Sequence, residues 1–329
     1  MMRMIKRFFA MIIISMLLLC ACGETEQPVV EDDLIVIGMS QVGAESDWRV
    51  ANSESMKEAF SEKNGYRLLF DDARQKQENQ FASIRRFIQQ RVDYIVVMPI
   101  SEDGWESVLE EARDAGIPVI VVDRRVNVGD GSLVTAHVGA DFYAEGSSAV
   151  RWIEKNYADR ERVNIVHIKG TMGSTAQIGR TGALTAAFRN HSSWNLIKEM
   201  DGDFTQAKTY EVMRDYLVSS PVKPVIDIVY CENDNEAFGA IDALEEAGYK
   251  CGDGGVAVIS FDATHDGLVA CRDGKIALEV ECNPLLGPLA ESVVRTVEDG
   301  GIPEKNQNVE ESVFLPEDIT DELLESRGY

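Results

Sequence analysis

The chain has 329 residues, 45% of them hydrophobic, with 32 bases against 56 acids. That length accommodates two ordinary domains with a sizeable core, and that composition excludes a disordered chain. A formal net charge of −24 repels phosphate backbones, which excludes nucleic acid as a partner.

The first 22 residues differ from the rest. Arg3, Lys6 and Arg7 are followed by an almost unbroken apolar run over 8–21. A run of 14 is short for a membrane span and right for the apolar region of an export signal. Loss of residues 1–21 takes three of the 32 bases and none of the 56 acids, leaving −27. Residues 19–23, LCACG, resemble a bacterial lipobox with Cys22 as the lipidated cysteine, because the small Ala21 precedes it. That resemblance implies a two-chain lipid anchor at the outer face of the cytoplasmic membrane, followed by an acidic tether over 23–32. Cys231, Cys251, Cys271 and Cys282 form no CxxC pair, so zinc and thioredoxin chemistry lack support. Four buried free thiols are expected, although an exported compartment permits disulfides.

From residue 34 onward, short apolar runs alternate with segments of helical spacing. The runs cover 34–39, 66–70, 94–98, 119–122, 134–138, 163–168, 226–230, 256–261 and 276–280. Between them, residues such as Phe81, Ile84, Phe87 and Ile88 recur at spacings of three and four. This alternation predicts parallel α/β sheets covered on both faces. The length favours two doubly wound lobes over one large sheet.

Ligands of open α/β sheets sit beyond the carboxyl ends of the strands. Those ends carry Trp48 and Arg49, Asp72, Trp105, Asp123 and Arg124, Ser174 and Arg180, Asn233, Asp262 and Glu281. Turns favour Asp and Asn, so a single acidic end means little. Arginines and tryptophans at such ends are not explained by turning. Carboxylates accept, guanidinium groups donate in a fixed fork, and asparagine does both. Together they suit adjacent hydroxyls, and tryptophan covers an apolar C–H face. A balance of Asp and Arg fits a neutral polyol better than an anion.

Enzyme signatures are thin. There is no GxSxG elbow and no phosphate-binding GxxxxGK[ST] loop, and the loop from Gly170 to Gly173 lacks a following lysine. His137, His167, His191 and His265 show no metal spacing. His167 reads as a satisfied core residue and His265 as a polar first-turn residue. No catalysis, metal or cofactor is expected.

Several stretches carry a resemblance: SQVGAESDWR at 40–49, QKQENQ at 75–80, GWESVLEEARDAGIPVIVVDR at 104–124, GDFTQAK at 202–208, GPLAES at 287–292 and FLPEDIT at 314–320. In these the chain resembles sugar-binding periplasmic proteins of the ribose-binding type, and within them the galactofuranose-binding proteins of ABC importers. The resemblance covers nearly all of 34–329. It implies a type I periplasmic binding protein: two doubly wound lobes joined by three hinge crossings. It places the first lobe at 33–137 plus 283–313 and the second at 138–282 plus 314–329. It implies a monomer that closes on a monosaccharide, a furanose or pentose, and presents it to an ABC permease. The alternative on the same scaffold is a sugar sensor for a chemoreceptor or membrane kinase.

By resemblance, Asp123 and Arg124 match the family's hydroxyl-gripping pair. Trp48 and Arg49 match the galactofuranose subgroup, and Arg180 the arginine reaching in from the second lobe. Asn233, Asp262 and Glu281 match later strand-end ligands, and Ser174 starts a helix facing the cleft. Two departures stand out. Asp262-Ala263 replaces the common Asp-Gly, and VECNPLLGP is one residue short of the subgroup pattern, which shifts Glu281 by one position.

A repressor of the related family would need an N-terminal helix-turn-helix, where this chain has an export signal. A glycoside-processing enzyme would need paired carboxylates at a set separation, which the sequence does not fix.

Overall fold

The computed structural model describes residues 34–329, so the expected signal, Cys22 and tether lie outside the described residues. The first lobe opens as β1 (Ile35–Gln41), α1 (Asp47–Ala59), β2 (Tyr66–Asp72), α2 (Gln77–Gln90), β3 (Tyr94–Val97), α3 (Glu106–Asp114), β4 (Val119–Val122) and β5 (Ala136–Gly139). The second runs through α4 (Phe142–Asn156), β6 (Val163–Lys169), α5 (Thr175–Phe188), β7 (Trp194–Asp201), α6 (Gln206–Ser219), β8 (Ile228–Cys231), α7 (Asp234–Glu246), β9 (Ala257–Asp262), α8 (His265–Arg272) and β10 (Leu278–Glu281). The chain then returns with α9 (Gly287–Glu298), β11 (Asn306–Asn308), β12 (Val313–Phe314) and α10 (Asp321–Ser326).

The two sheets have the same construction. Their orders are β11-β5-β4-β3-β1-β2 and β12-β10-β9-β8-β6-β7. Each is a 2-1-3-4-5 doubly wound core with one late strand added at the edge. β11 joins β5 in parallel, whereas β12 joins β10 antiparallel. Central strands are continuous runs of Val and Ile because helices cover both faces: β3 and β4 are buried at every residue. Apolar clusters fill both faces of each sheet, around Ile37, Met39 and Val96 on one side of the first sheet and Ile95, Val97 and Trp105 on the other. The four cysteines of the described chain are free and buried.

Strand membership places β5, which runs to Gly139, wholly in the first sheet, two residues past the expected boundary at 137/138. β12 begins the return to the second sheet at Val313, one residue early. The three crossings are tied to each other. Val309 N donates to Gly139 O at 3.0 Å, and Glu281 N to Ser312 O at 2.9 Å. Ser312 N donates to Glu281 Oε2 at 2.9 Å, and Asn283 N to Glu311 Oε1 at 3.0 Å.

Small residues set the packing behind the second lobe's site. A Cβ on Gly146 of α4 would lie 2.8 Å from Ala183 Cβ and 3.0 Å from Arg180 Cα of α5. Glycine lets the two helices meet, which brings Glu145 against Arg180.

His167 sits within β6, buried at 2% exposure, with Nε2 at 2.9 Å from Glu232 Oε1 and Nδ1 at 3.5 Å from Glu199. Burial alone lowers its basicity, but hydrogen bonds to Glu199 and Glu232 outweigh that and raise its pKa to about 9. A pKa raised above the ordinary 6.5 contributes stability that is complete below 6.5 and lost as pH rises through about 9. Because Glu199 is partly exposed, the contribution is discounted to roughly 2 kcal/mol. Urea unfolding across neutral to alkaline pH should show this loss in the native chain, and His167→Gln should flatten it; an unchanged slope in the variant removes His167 as its source.

Candidate functional site

Helix caps aim the first polar groups. The Ser46 hydroxyl accepts from Arg49 N at 3.2 Å and starts α1, so Trp48 and Arg49 lie in its first turn, beyond the end of β1. Asn233 caps α7 by accepting from Glu236 N at 2.8 Å. Asp123 follows β4 directly, and its φ of 65° is left-handed backbone that aspartate tolerates better than most residues. β9 ends at Asp262, with φ 106°, followed by Ala263 at φ 54°. The loop thus keeps the left-handed backbone that glycine favours, although alanine occupies it, and Ala263 is fully buried.

The carboxyl ends of both sheets face one closed cavity. Its wall includes Glu45, Trp48, Arg49, Asp123 and Arg124 from the first lobe, and Phe142, Ala176, Arg180, Phe204, Asn233 and Asp262 from the second, with Cys282 on a crossing between them. The cavity volume is about 20 Å³. That is room for little more than one water, so a larger ligand enters only when the lobes part.

Buried charges ring this space. Arg49 Nη2 donates to Asp123 Oδ2 at 2.7 Å and to Glu45 Oε1 at 3.2 Å. Arg124 Nη2 also donates to Glu45. From the other lobe, Arg180 Nε donates to Glu145 Oε2 at 2.7 Å, Nη1 donates to Glu232 O, and Nη2 lies 3.7 Å from Asp262 Oδ1. Three guanidinium groups face four carboxyls. Burial disfavours the charge on Arg49, but Asp123 and Glu45 outweigh it and raise its pKa. Burial wins at Arg124, whose pKa is lowered, with Arg49 adding repulsion. Burial pushes the Asp262 carboxyl well above its ordinary range, against the pull of Arg180. Aromatic faces complete the lining: Arg49 lies 4.6 Å from the Trp48 ring centre and Arg124 5.2 Å from that of Phe204. Trp48 Nε1 donates to Cys282 O at 2.6 Å. Glu45 Oε2, Arg49 Nη1 and Arg124 Nε are buried without a hydrogen-bond partner among the described residues. An acceptor and two donors with unused capacity beside a narrow cavity suit hydroxyl groups, which serve as both.

The structure therefore brings together Trp48, Arg49, Asp123, Arg124, Arg180, Asn233 and Asp262. It does not bring four other expected residues to the cavity. Glu281 accepts from Ser312 N and, at 2.6 Å, from Arg327 Nη1, so its carboxylate serves the crossings while Cys282, one residue on, lines the cavity. Ser174 is spent as the buried N-cap of α5, accepting from Gln177 N at 3.3 Å. Asp72 is exposed and closes a turn by accepting from Arg74 N at 2.7 Å. Trp105 is fully buried in the first lobe's core, edge-on to Phe81 at 5.1 Å, its Nε1 donating to Ser101 O at 2.8 Å. Glu45, Phe142, Phe204 and Cys282 were not singled out from the sequence. Glu45 and Phe204 lie within the stretches that carry the resemblance, which was the available signal.

Residues 37–280 match the model of the periplasmic binding protein domain. The chain is 37% identical to galactofuranose-binding protein YtfQ of Escherichia coli, over 89% of this chain and 92% of that protein. A structure from Mycobacterium smegmatis in complex with β-D-fucofuranose superposes with TM-score 0.82 at 39% identity, covering 86% of this chain and 92% of that one. The binding protein of an arabinose ABC transporter from Shewanella sp. ANA-3, bound to α- and β-L-arabinofuranose, superposes at 0.80 with 36% identity, covering 86% and 92%.

Proposed function

The chain belongs to the periplasmic binding protein domain family, and we propose that it captures a monosaccharide in furanose form between its lobes and delivers it to an ABC permease. In this reading the exported chain is held at the outer face of the cytoplasmic membrane by lipid on Cys22 and works as a monomer. No bond is made or broken; the relatives are solute-binding proteins, not enzymes. No helix of the described residues is long and apolar enough to cross a membrane.

One observation carries the reading. The cavity joins a balanced set of buried Arg and Asp/Glu side chains to aromatic faces at the carboxyl ends of two facing sheets. Net balance favours a neutral ligand, and fixed guanidinium and carboxylate pairs favour vicinal hydroxyls. Asp123, Arg124, Arg49 and Glu45 would hold hydroxyls from the first lobe, with Arg180, Asn233 and Asp262 closing from the second. Trp48, Phe142 and Phe204 would cover C–H faces. Only the closed form completes this set, so the ligand shifts the population toward closure by its differential affinity. The relatives whose solved ligands are fucofuranose and arabinofuranose support the furanose form.

The test is a thermal-shift and calorimetric screen against a galactofuranoside, L-arabinofuranose, D-ribose, D-galactopyranose and myo-inositol. A ligand at 100 times its Kd adds about 2.7 kcal/mol, enough to raise Tm by several degrees. We expect the largest rise with a furanose. No rise with any sugar, on protein unfolded and refolded free of ligand, sinks the proposal.

A further inference from the structure

We infer that a second cleft, on the far side of Asp123 from the sugar cavity, binds a small carboxylate anion with a short apolar body. The cleft opens beside β4, β5 and β11 and has a volume of about 170 Å³. Arg125, His137, Lys305 and Asn306 supply its polar groups, and Val121, Val126, Val128 and Val134 its apolar wall. No acid lines it. In a chain with 56 acids against 32 bases, a recess with two full cations and no carboxylate is a departure.

Among the described residues the cations have only neutral partners. Arg125 donates to Asn306 Oδ1 at 2.6 Å and Asn308 Oδ1 at 3.3 Å. Lys305 Nζ donates to Gly131 O at 2.6 Å and to Val134 O. These oxygens satisfy donors without supplying a countercharge, and Arg125 is the more buried of the two cations, since Lys305 is exposed. Burial lowers the pKa of both groups, and their opposing acids, Asp141 for Arg125 and Asp130 for Lys305, act only at a distance. The third polar group is independent of them. His137 is 5% exposed, and its Nδ1 is buried without a partner among the described residues. Its Nε2 is 2.8 Å from the Asp123 carbonyl, which can only accept, so Nε2 carries the proton. Nδ1 is thus a free acceptor as the ring stands, and becomes a donor once the ring is protonated.

Burial first, and Arg125 second, hold His137 down at about 4, while the Asp123 carbonyl and carboxylate pull the other way. A bound carboxylate beside Arg125 and Lys305 offsets the first two effects and offers Nδ1–H an acceptor. It therefore favours the imidazolium and lifts the titration midpoint. Phosphate satisfies the charges but not the valine wall. A carboxylate with two to four carbons meets both.

The test is side-chain NMR of the four histidines, with His137→Gln identifying the His137 signal. Acetate, butyrate and phosphate are titrated at constant ionic strength. Butyrate is expected to shift the His137 ring resonances saturably, with Kd on the order of 1–10 mM, and to raise the ring's midpoint by about one unit or more. Arg125→Gln and Lys305→Gln should each weaken binding roughly tenfold, the loss of one charge-assisted contact, while the folded spectrum is retained. No saturable change at His137, an equal response in Arg125→Gln, or phosphate binding as tightly as butyrate each overturns the inference.

Discussion

Asp123→Asn is expected to weaken binding of the sugar selected by the screen by roughly 2–4 kcal/mol, or about 30- to 1,000-fold. The Asp123 side chain is buried and accepts from Arg49 at 2.7 Å. Its amide replacement keeps the shape and tolerates the left-handed backbone, so the fold is retained. The replacement does remove the charge that compensates Arg49, whose Nη1 already lacks a partner. Arg49 then turns to Glu45, which also holds Arg124, and the first lobe's half of the ring loses its alignment. Asp123→Ala should cost more, because it adds backbone strain at φ 65°. Calorimetry decides: a loss under threefold for Asp123→Asn removes the carboxylate from ligand contact.

Arg180→Met should destabilise the fold itself by roughly 3–5 kcal/mol, because it leaves buried acids without their cation. Glu145 is bonded to Arg180 at 2.7 Å and Asp262 lies 3.7 Å away, and all three are buried. Methionine fills the space against Phe261 but supplies no charge. Burial already raises the pKa of Glu145 and pushes that of Asp262 well up, with Arg180 opposing both. Without the arginine those values rise further. A carboxyl whose folded value exceeds its unfolded value stabilises the fold below the unfolded value and loses that contribution as pH rises through the folded one. The deficit of Arg180→Met should therefore shrink toward acidic pH. Urea unfolding at mildly acidic and mildly alkaline pH reads this directly. Equal deficits at both would mean that lost packing, rather than stranded charge, is responsible.

The sheets were legible because central strands of a parallel sheet are apolar throughout. All nine apolar runs correspond to strands between β1 and β10. β7 escaped because it is an edge strand in which only Trp194 and Met200 are buried, so WNLIKEMD never forms a continuous apolar run. β11 and β12 escaped because they have three and two residues and take their pairing from distant partners. At the cavity, Arg49 and Trp48 stood out because turning does not explain their type, whereas Asp123, Asn233 and Asp262 line the same cavity with types that turns also favour. Asp72 and Ser174 had the right position in the chain but were consumed by local backbone hydrogen bonds, which single-residue reading does not separate from ligand contacts. Trp105 shows the same limit for packing: an indole at a strand end fills a core as readily as it lines a site. Glu281 bonds Ser312 and Arg327, while Cys282, one residue on, lines the cavity.

The ties among the crossings have a mechanical consequence. Three separate strands would let the lobes twist, slide and bend independently. Here Glu281 to Asn283 is laced to Glu311 and Ser312, and Val309 to Gly139, so the strands form a strap. A strap flexes about its width at little cost, but torsion shears its rungs. Lobe motion of the kind proposed would then run mainly along one bending direction, with the arginines and carboxylates of the far wall carried together. If the lobes close on a ligand as proposed, such a strap would act as a single caliper: a molecule slightly too large would stall all the contacts at once, and size selectivity would come from the strap as well as from the walls.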